Sequence, residues 1–245
     1  MISHQDIEYK QNLNLDLHLP ENDNFDLFIY FHGGGLEGGS RKGVEVFAKT
    51  LAKNNIATAS VEYSMYPNAK YPDFIKDCAD SIRWLKDNIN NYGKCNRIFV
   101  GGSSAGGYLS MMLCFDERYL KQVGILPTDI AGYIHDAGQP TAHFNVLKER
   151  GLDSRRLIVD ETAPMYFVGL QEKYSPMLFI VSDNDMFARY EQTILMVKTL
   201  EHFGHKDNVY LQVLRGKHCE HTKKVDENGD GVLGNIINDF IKKLN

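Results

Sequence analysis

The chain has 245 residues, of which 43% are hydrophobic and 24% are charged, and its formal net charge is -5. This length and apolar content suit one sizeable α/β domain, and no Pro-rich, Ser-rich or charged stretch indicates a linker. We therefore expect residues 1–245 to form a single domain. The acidic balance leaves no basic stripe for a nucleic-acid partner.

The first eight residues have neither the basic start nor the apolar centre of a signal peptide, and no stretch reaches the length of a membrane span. The sequence thus predicts a cytoplasmic protein without a membrane span. Its four cysteines have no C-x-x-C spacing, which favours reduced thiols over a disulfide framework or a zinc site.

Two strand patterns open the chain. Residues 13–19 alternate apolar and polar until Pro20, as expected of a half-buried edge strand. Residues 25–31 are nearly all apolar, as in a strand covered on both faces, and they lead into His32 and the glycines at 33–35. Consecutive glycines leave bare N–H groups that an anion can approach, and no P-loop spacing is present, so an oxyanion site is predicted here.

Helical and strand patterns then alternate, with a helix over 44–53, a strand over 56–61 and a long helix opening at Tyr71-Pro72-Asp73. Such alternation predicts a parallel sheet with right-handed crossovers. The next predicted strand runs into Gly102-Ser103-Ser104-Ala105-Gly106, and a helix follows at once.

The order of strand, sharp turn and helix around G-x-S-x-G is typical of an exposed serine nucleophile. Ser104 has glycines two residues before and after it, where the backbone must turn and pack closely. Ser103 is the alternative, but its flanking residues would be Gly101 and Ala105. The helix behind the turn would aim free N–H groups at the reacting centre.

A strand is predicted at 130–134, after which residues 139–170 are mixed in polarity and have no clean period. A long excursion of this kind in a compact α/β fold usually forms a lid or a flap over the site. We therefore predict a lid at about 139–170.

Carboxylates and histidines follow the last two predicted strands. Asp183 and Asp185 come after a strand at 176–181, and His218 and His221 come after a strand at 209–214. Because the carboxyl ends of parallel strands share one edge of the sheet, these side chains are expected near Ser104. Ser, then Asp, then His is a known chain order for a catalytic triad. From the residues alone both choices stay open, although His218 is favoured over His221 because it lies closer to the strand end after Gly216.

Residues 226–231 resemble the first half of a calcium-binding loop, but Ile237 stands where the bidentate glutamate belongs. A solvated turn before the last helix is the better interpretation. We expect no metal and no cofactor.

The residues His32-Gly33-Gly34-Gly35 and Gly102-Ser103-Ser104-Ala105-Gly106-Gly107 give the chain a resemblance to the α/β-hydrolase superfamily. It is most similar to the small esterases related to the hormone-sensitive-lipase group and to kynurenine formamidase-like proteins. Other stretches, such as Ala69-Lys70-Tyr71-Pro72, resemble the acetylxylan- or feruloyl-esterase-like branch. The resemblance implies an α/β-hydrolase fold, with a mostly parallel central sheet flanked by helices and a small lid insertion.

The resemblance also implies a serine esterase that acts through an acyl-enzyme on small to medium acyl esters, including acetylated or feruloylated sugars. An arylformamidase or peptidase would share the same catalytic residues, whereas a non-catalytic binding protein would normally lack one of them. A small-molecule ester is the expected partner, and a homo-oligomer is compatible with the sequence. The implied roles are Ser104 as nucleophile, His218 as base and acid, Asp185 as orienting acid, and the N–H groups of Gly34, Gly35 and Ala105 as the oxyanion hole.

Overall fold

The computed structural model describes residues 1–244 and contains a single eight-stranded sheet with the order β1-β2-β4-β3-β5-β6-β7-β8. The strands are β1 (Ile2–Lys10), β2 (Leu13–Leu19), β3 (Asn24–Phe31), β4 (Ile56–Val61), β5 (Lys94–Ser103), β6 (Gly132–Asp136), β7 (Met177–Asn184) and β8 (Val209–Lys217).

Strands β3 to β8 are parallel to one another, whereas β1 pairs with β2 and β2 pairs with β4 in the antiparallel sense. The predicted α/β architecture with a mostly parallel sheet is thus confirmed. The expectation that residues 13–19 form an edge strand is wrong, because β2 lies between β1 and β4. The edge is β1, whose residues are mostly polar and exposed, so no apolar alternation marks it in the sequence.

Helices cover both faces of the sheet, and for this reason the central strands are apolar on both sides. The helices are α1 (Glu45–Lys53), α2 (Asp73–Asn88), α3 (Ala105–Phe115), α4 (Glu117–Gln122), α5 (Phe144–Glu149), α6 (Arg189–His202) and α7 (Val232–Lys243). One face of the sheet packs on α2 and α3 through residues such as Ile82 and Met112, and the other packs on α1 and α7 through Phe47 and Phe240.

The excursion between β6 and β7 contains α5 and a small apolar cluster of Ala142, Leu147 and Ala163. Tyr108 on α3 anchors it by donating a hydrogen bond to the Thr162 carbonyl at 2.8 Å. The segment therefore packs against α3, and its role as a lid stays a prediction.

Within residues 1–244, no helix combines the length and the apolar character that crossing a bilayer requires. In the turn before α7, the Asp226 carboxylate accepts N–H bonds from Asn228 and Asp230 and a side-chain bond from Asn235. These contacts give the aspartate a local structural role at the start of the last helix.

Candidate active site

The turn after β5 holds Ser104 in a conformation that few non-glycine residues adopt, with φ 58° and ψ -113°. The neighbouring glycines are required by close packing, because a Cβ on Gly106 would lie 1.8 Å from the Phe31 carbonyl oxygen. A Cβ on Gly102 would lie 2.5 Å from the same oxygen. The strained turn is further fixed by the Ser104 N–H, which donates to the Asp136 carbonyl at 2.8 Å. Its hydroxyl thus projects from a rigid support.

Three of the side chains selected from the sequence form one chain of hydrogen bonds. The Ser104 Oγ lies 2.8 Å from His218 Nε2, and His218 Nδ1 lies 2.5 Å from Asp185 Oδ1. The Asp185 side chain is fully shielded from solvent, whereas the His218 side chain is 23% exposed. The imidazole can therefore reach both the hydroxyl and a ligand entering from solvent.

Asp185 is held in its ionised form. Burial alone would raise its pKa, but the hydrogen bond to His218 and the N–H donors of Met186 and Ser182 outweigh it, so the pKa lies below its ordinary value. A carboxylate on Nδ1 fixes the tautomer in which Nε2 is free to accept a proton from Ser104.

The glycine run after β3 lies directly against the serine. A Cβ on Gly33 would come within 3.1 Å of Ser104 Cβ, while Gly34 and Gly35 take φ values of 124° and 67° that favour glycine. His32 supports this loop, since its Nδ1 lies 2.7 Å from the Gly33 carbonyl and its ring stacks on Tyr63.

The glycine run also leaves backbone donors free. In the described chain, the N–H groups of Gly34 and Gly35 donate no backbone hydrogen bond. Ala105 is the first residue of α3, so its N–H has no partner within the helix. These donors are the ones that the sequence assigned to an oxyanion hole.

Residues 28–229 match the model of the alpha/beta hydrolase fold family. The chain belongs to this family. It is 30% identical over 159 residues to an arylesterase from Saccharolobus solfataricus, which covers 63% of this chain and 51% of the relative. It is also 34% identical over 93 residues to carboxylesterase NlhH from Mycobacterium tuberculosis, covering 37% of this chain and 29% of the relative. The chain spans about half the length of the curated relatives that it matches first.

Solved structures agree on the fold. Esterase B from Lactobacillus rhamnosis superposes with a TM-score of 0.78 at 17% identity, covering 99% of this chain and 86% of that one. A truncated carbohydrate esterase from gut microbiota superposes with a TM-score of 0.79 at 17% identity, covering 100% and 96%.

The competing candidates lie elsewhere in this alpha/beta hydrolase. Ser103 directs its hydroxyl to Asp136 Oδ2 at 2.5 Å, and His221 Nε2 lies 3.0 Å from Asp136 Oδ1. The exposed Asp183 accepts the Gly216 N–H at 3.0 Å, near the end of β8. None of these three contacts Ser104 Oγ.

The sequence reasoning missed Asp136, although it ends a strand that was predicted close to its place. Ligands in open α/β sheets bind beyond the carboxyl ends of the strands, so an acid at the end of β6 is as well placed as the acids at the end of β7. Asp136 binds the turn after β5 through its backbone carbonyl. Through its carboxylate it binds the segment that carries His218 and His221, called here the histidine loop. Asp136 therefore joins the two.

A cavity of about 410 Å³ opens above the serine. Its walls include Ser104 and His218, and its outer part is polar, with Lys42, Thr222 and Lys223. This volume lies in the range of small-molecule sites and gives a substrate direct access to the hydroxyl.

Proposed function

We propose that this chain is a serine carboxylic-ester hydrolase in which Ser104, His218 and Asp185 act as a catalytic triad. The observation that carries the proposal is the continuous hydrogen-bond chain from Ser104 Oγ through His218 to the shielded Asp185, at 2.8 and 2.5 Å. Nucleophile, base and orienting acid in mutual contact are what acyl transfer to serine requires.

In the first half-reaction, His218 Nε2 takes the hydroxyl proton as Ser104 Oγ attacks the acyl carbon. The ionised Asp185 stabilises the imidazolium that forms, without itself taking the proton. His218 then gives the proton to the departing alcohol oxygen, and the acyl group remains on Ser104. Water repeats the sequence, releasing the acid and restoring the serine.

The tetrahedral intermediates carry a negative charge that needs fixed donors. We assign this role to the N–H groups of Gly34 and Gly35, which donate no backbone hydrogen bond in the described chain, and to that of Ala105, which follows Ser104 at the start of α3. In other serine enzymes a single such donor is worth about 3–4 kcal/mol of transition-state stabilisation. Gly34 cannot be replaced without distorting this loop, because a Cβ there would lie 1.9 Å from the Gly38 carbonyl oxygen.

For the substrate, we propose small to medium acyl esters, with sugar esters among them. The cavity of about 410 Å³ limits the group that fits beside Ser104, and its rim of Lys42, Thr222 and Lys223 offers hydrogen bonds to hydroxyl groups. The relatives named arylesterase and carboxylesterase, and a structural neighbour described as a carbohydrate esterase, support ester hydrolysis.

The test is the hydrolysis of p-nitrophenyl esters from acetate to octanoate by wild type, Ser104→Ala and Ser103→Ala. We expect Ser104→Ala to lose about 10⁴-fold or more in kcat. Ser103→Ala is the matched control, because it removes the adjacent hydroxyl, which is bonded to Asp136. It should retain activity within about tenfold, since one buried hydrogen bond is worth about 1 kcal/mol. Equal activity of wild type and Ser104→Ala, or no ester hydrolysis by wild type, would contradict the proposal.

A further inference from the structure

A second cavity, of about 460 Å³, lies beside the proposed catalytic groups and is called here the arginine groove. It is bounded by residues 139–144, 154–157 and 186–192. Phe144 on its wall is the ring that a Cβ on Gly35 would meet at 3.4 Å, and Met186 follows Asp185 directly. The groove therefore adjoins both the glycine loop and the triad acid.

Much of the groove wall is apolar and open to solvent. Phe187 is 94% exposed, and Leu157 and Met186 also belong to the exposed large apolar side chains. Together with Phe144, they form an uncovered apolar surface with the volume of a small-molecule site. Exposed apolar side chains gathered in a concave site indicate a ligand with an apolar body.

The charge in the groove is one-sided. Three arginines line it and no acidic residue does, although the chain as a whole has a net charge of -5. Arg155 is paired with Asp153 at 2.5 Å. Arg156 is exposed and has no carboxylate within 4.0 Å in the described part of the chain. Its guanidinium is therefore available to an anion from solution.

The third arginine, Arg189, is only 3% exposed and yet has no carboxylate partner among residues 1–244. Its terminal nitrogens donate to the Ala137 carbonyl and to Gln139 Oε1, and its buried Nε has no hydrogen-bond partner. The negative charge of Asp185 acts on Arg189 but does not outweigh its burial, which lowers the pKa of the guanidinium. Burying a guanidinium without a contacting carboxylate is costly, so the charge of Arg189 favours an anion in the adjoining groove.

We propose that the arginine groove binds an ionised carboxylate carried on the apolar or aromatic part of the substrate ester. This inference rests on the proposed function and names its substrate class: esters with a second, charged carboxyl group. Arg156 receives the carboxylate from solution by charge-assisted hydrogen bonds, Arg189 supplies positive charge from below, and Phe144 and Phe187 pack on the apolar body.

The test uses ester pairs that differ only in charge. The p-nitrophenyl ester of para-carboxybenzoate is compared with that of para-carbamoylbenzoate, so that the charge lies on the acyl side. Para-carboxyphenyl acetate is compared with para-carbamoylphenyl acetate, so that it lies on the alcohol side. We expect wild type to prefer the carboxylate in at least one pair by about tenfold in kcat/KM, the size of one hydrogen bond to a charged group. The pair that shows the preference identifies the side that the groove holds.

The decisive variant is Arg156→Gln, which should reduce the carboxylate-to-carbamoyl ratio to about one. Arg83→Gln is the control, because it removes the same charge from α2, where Arg83 is bonded to Asp87 and lines no part of the groove. It should leave the ratio unchanged. A wild-type ratio of one or below in both pairs, or an equal effect of the two variants, would overturn the inference.

Binding separates this inference from the proposed function. Calorimetric titration of Ser104→Ala with terephthalate and with terephthalamide needs no turnover. Tighter binding of terephthalate that is lost in Ser104→Ala combined with Arg156→Gln would support the groove even if no ester were hydrolysed. Equal binding of the two ligands would contradict it, even if Ser104 proved to be the nucleophile.

Discussion

His218 and His221 lie three residues apart in the segment after β8, and each is paired with an aspartate. Only His218 reaches the serine. His218 bonds Asp185 through Nδ1 and Ser104 through Nε2, and its side chain is partly exposed. His221 bonds the buried Asp136 through Nε2, and its Nδ1 has no partner in the part of the chain that the structure describes.

The difference shows that a carboxylate partner alone does not make a histidine a catalytic base. A base must also reach the nucleophile and the leaving group, and the buried His221 reaches neither. The His221–Asp136 pair instead joins the histidine loop to the turn after β5, because Asp136 also accepts the Ser104 N–H and the Ser103 hydroxyl. We therefore expect the first pair to determine the rate and the second to determine stability.

The largest difference in kcat is expected between the variants His218→Ala and His221→Ala. We expect His218→Ala to lower kcat by about 10⁴-fold or more, because His218 is the base that is hydrogen-bonded to the Ser104 hydroxyl. His221→Ala should lower kcat by no more than about tenfold, since it removes a support and not a base. Kinetics on one p-nitrophenyl ester measures both. A larger loss in His221→Ala would reverse the assignment.

The two aspartates offer a second contrast. Asp185→Asn should lower kcat by about 10³- to 10⁴-fold, because an amide on Nδ1 favours the wrong tautomer of His218. Asp136→Asn retains an oxygen acceptor in the buried site and should cost activity far less. Circular dichroism of each variant confirms that it is folded before rates are compared. Similar rate losses in both variants would contradict the assignment of the rate to the His218–Asp185 pair and of stability to the His221–Asp136 pair.

The pH dependence of stability should distinguish the buried pair. Burial tends to lower the pKa of His221, but the Asp136 carboxylate outweighs it and raises the pKa above the ordinary value. The folded protein then binds a proton more tightly than the unfolded chain, so this stabilisation is complete below the unfolded pKa and is lost as pH rises through the folded one.

We therefore expect His221→Ala to cost about 3 kcal/mol in the free energy of unfolding at low pH, the size of a broken buried pair. The cost should shrink as pH rises above about 6.5, the ordinary pKa of histidine. Urea unfolding of both proteins below and above this pH provides the measurement. A cost that stays constant or grows with pH would mean that His221 is not charged in the folded state.

The smallest effect is expected for Asp183→Ala. Asp183 accepts the Gly216 N–H near the end of β8, and losing one exposed hydrogen bond should cost about 1 kcal/mol of stability. Because Asp183 does not touch the imidazole, kcat should change by less than about threefold. A loss as large as that of Asp185→Asn would make Asp183 the orienting acid.

Much of the fold follows from the sequence, because apolar strands and periodic helices alternate along the chain. The edge strand β1 could not be predicted, since its polar residues are held by pairing with β2 and not by burial. Ser104 could be preferred over Ser103 because the close approaches of Gly102 and Gly106 demand glycine at those two positions. Local sequence thus suffices where a backbone contact excludes every side chain.

The choice between neighbouring aspartates and histidines needed three-dimensional geometry. Asp183 lies near the end of β7 and Asp185 just beyond it, and only the folded chain shows which of the two contacts His218. His218 and His221 are separated by the left-handed turn at Cys219, which directs one ring to Ser104 and the other to Asp136. The arginine groove could not be predicted from the sequence either, because its walls come from three separate segments.

Trapping the nucleophile tests directly whether Ser104 is the residue that attacks the substrate. Wild type and Ser104→Ala are treated with diethyl p-nitrophenyl phosphate, and the products are examined by intact mass and peptide mapping. We expect release of one equivalent of p-nitrophenolate and one diethylphosphoryl group on Ser104, with no label in Ser104→Ala. A label on another residue, or equal labelling of both proteins, would contradict it.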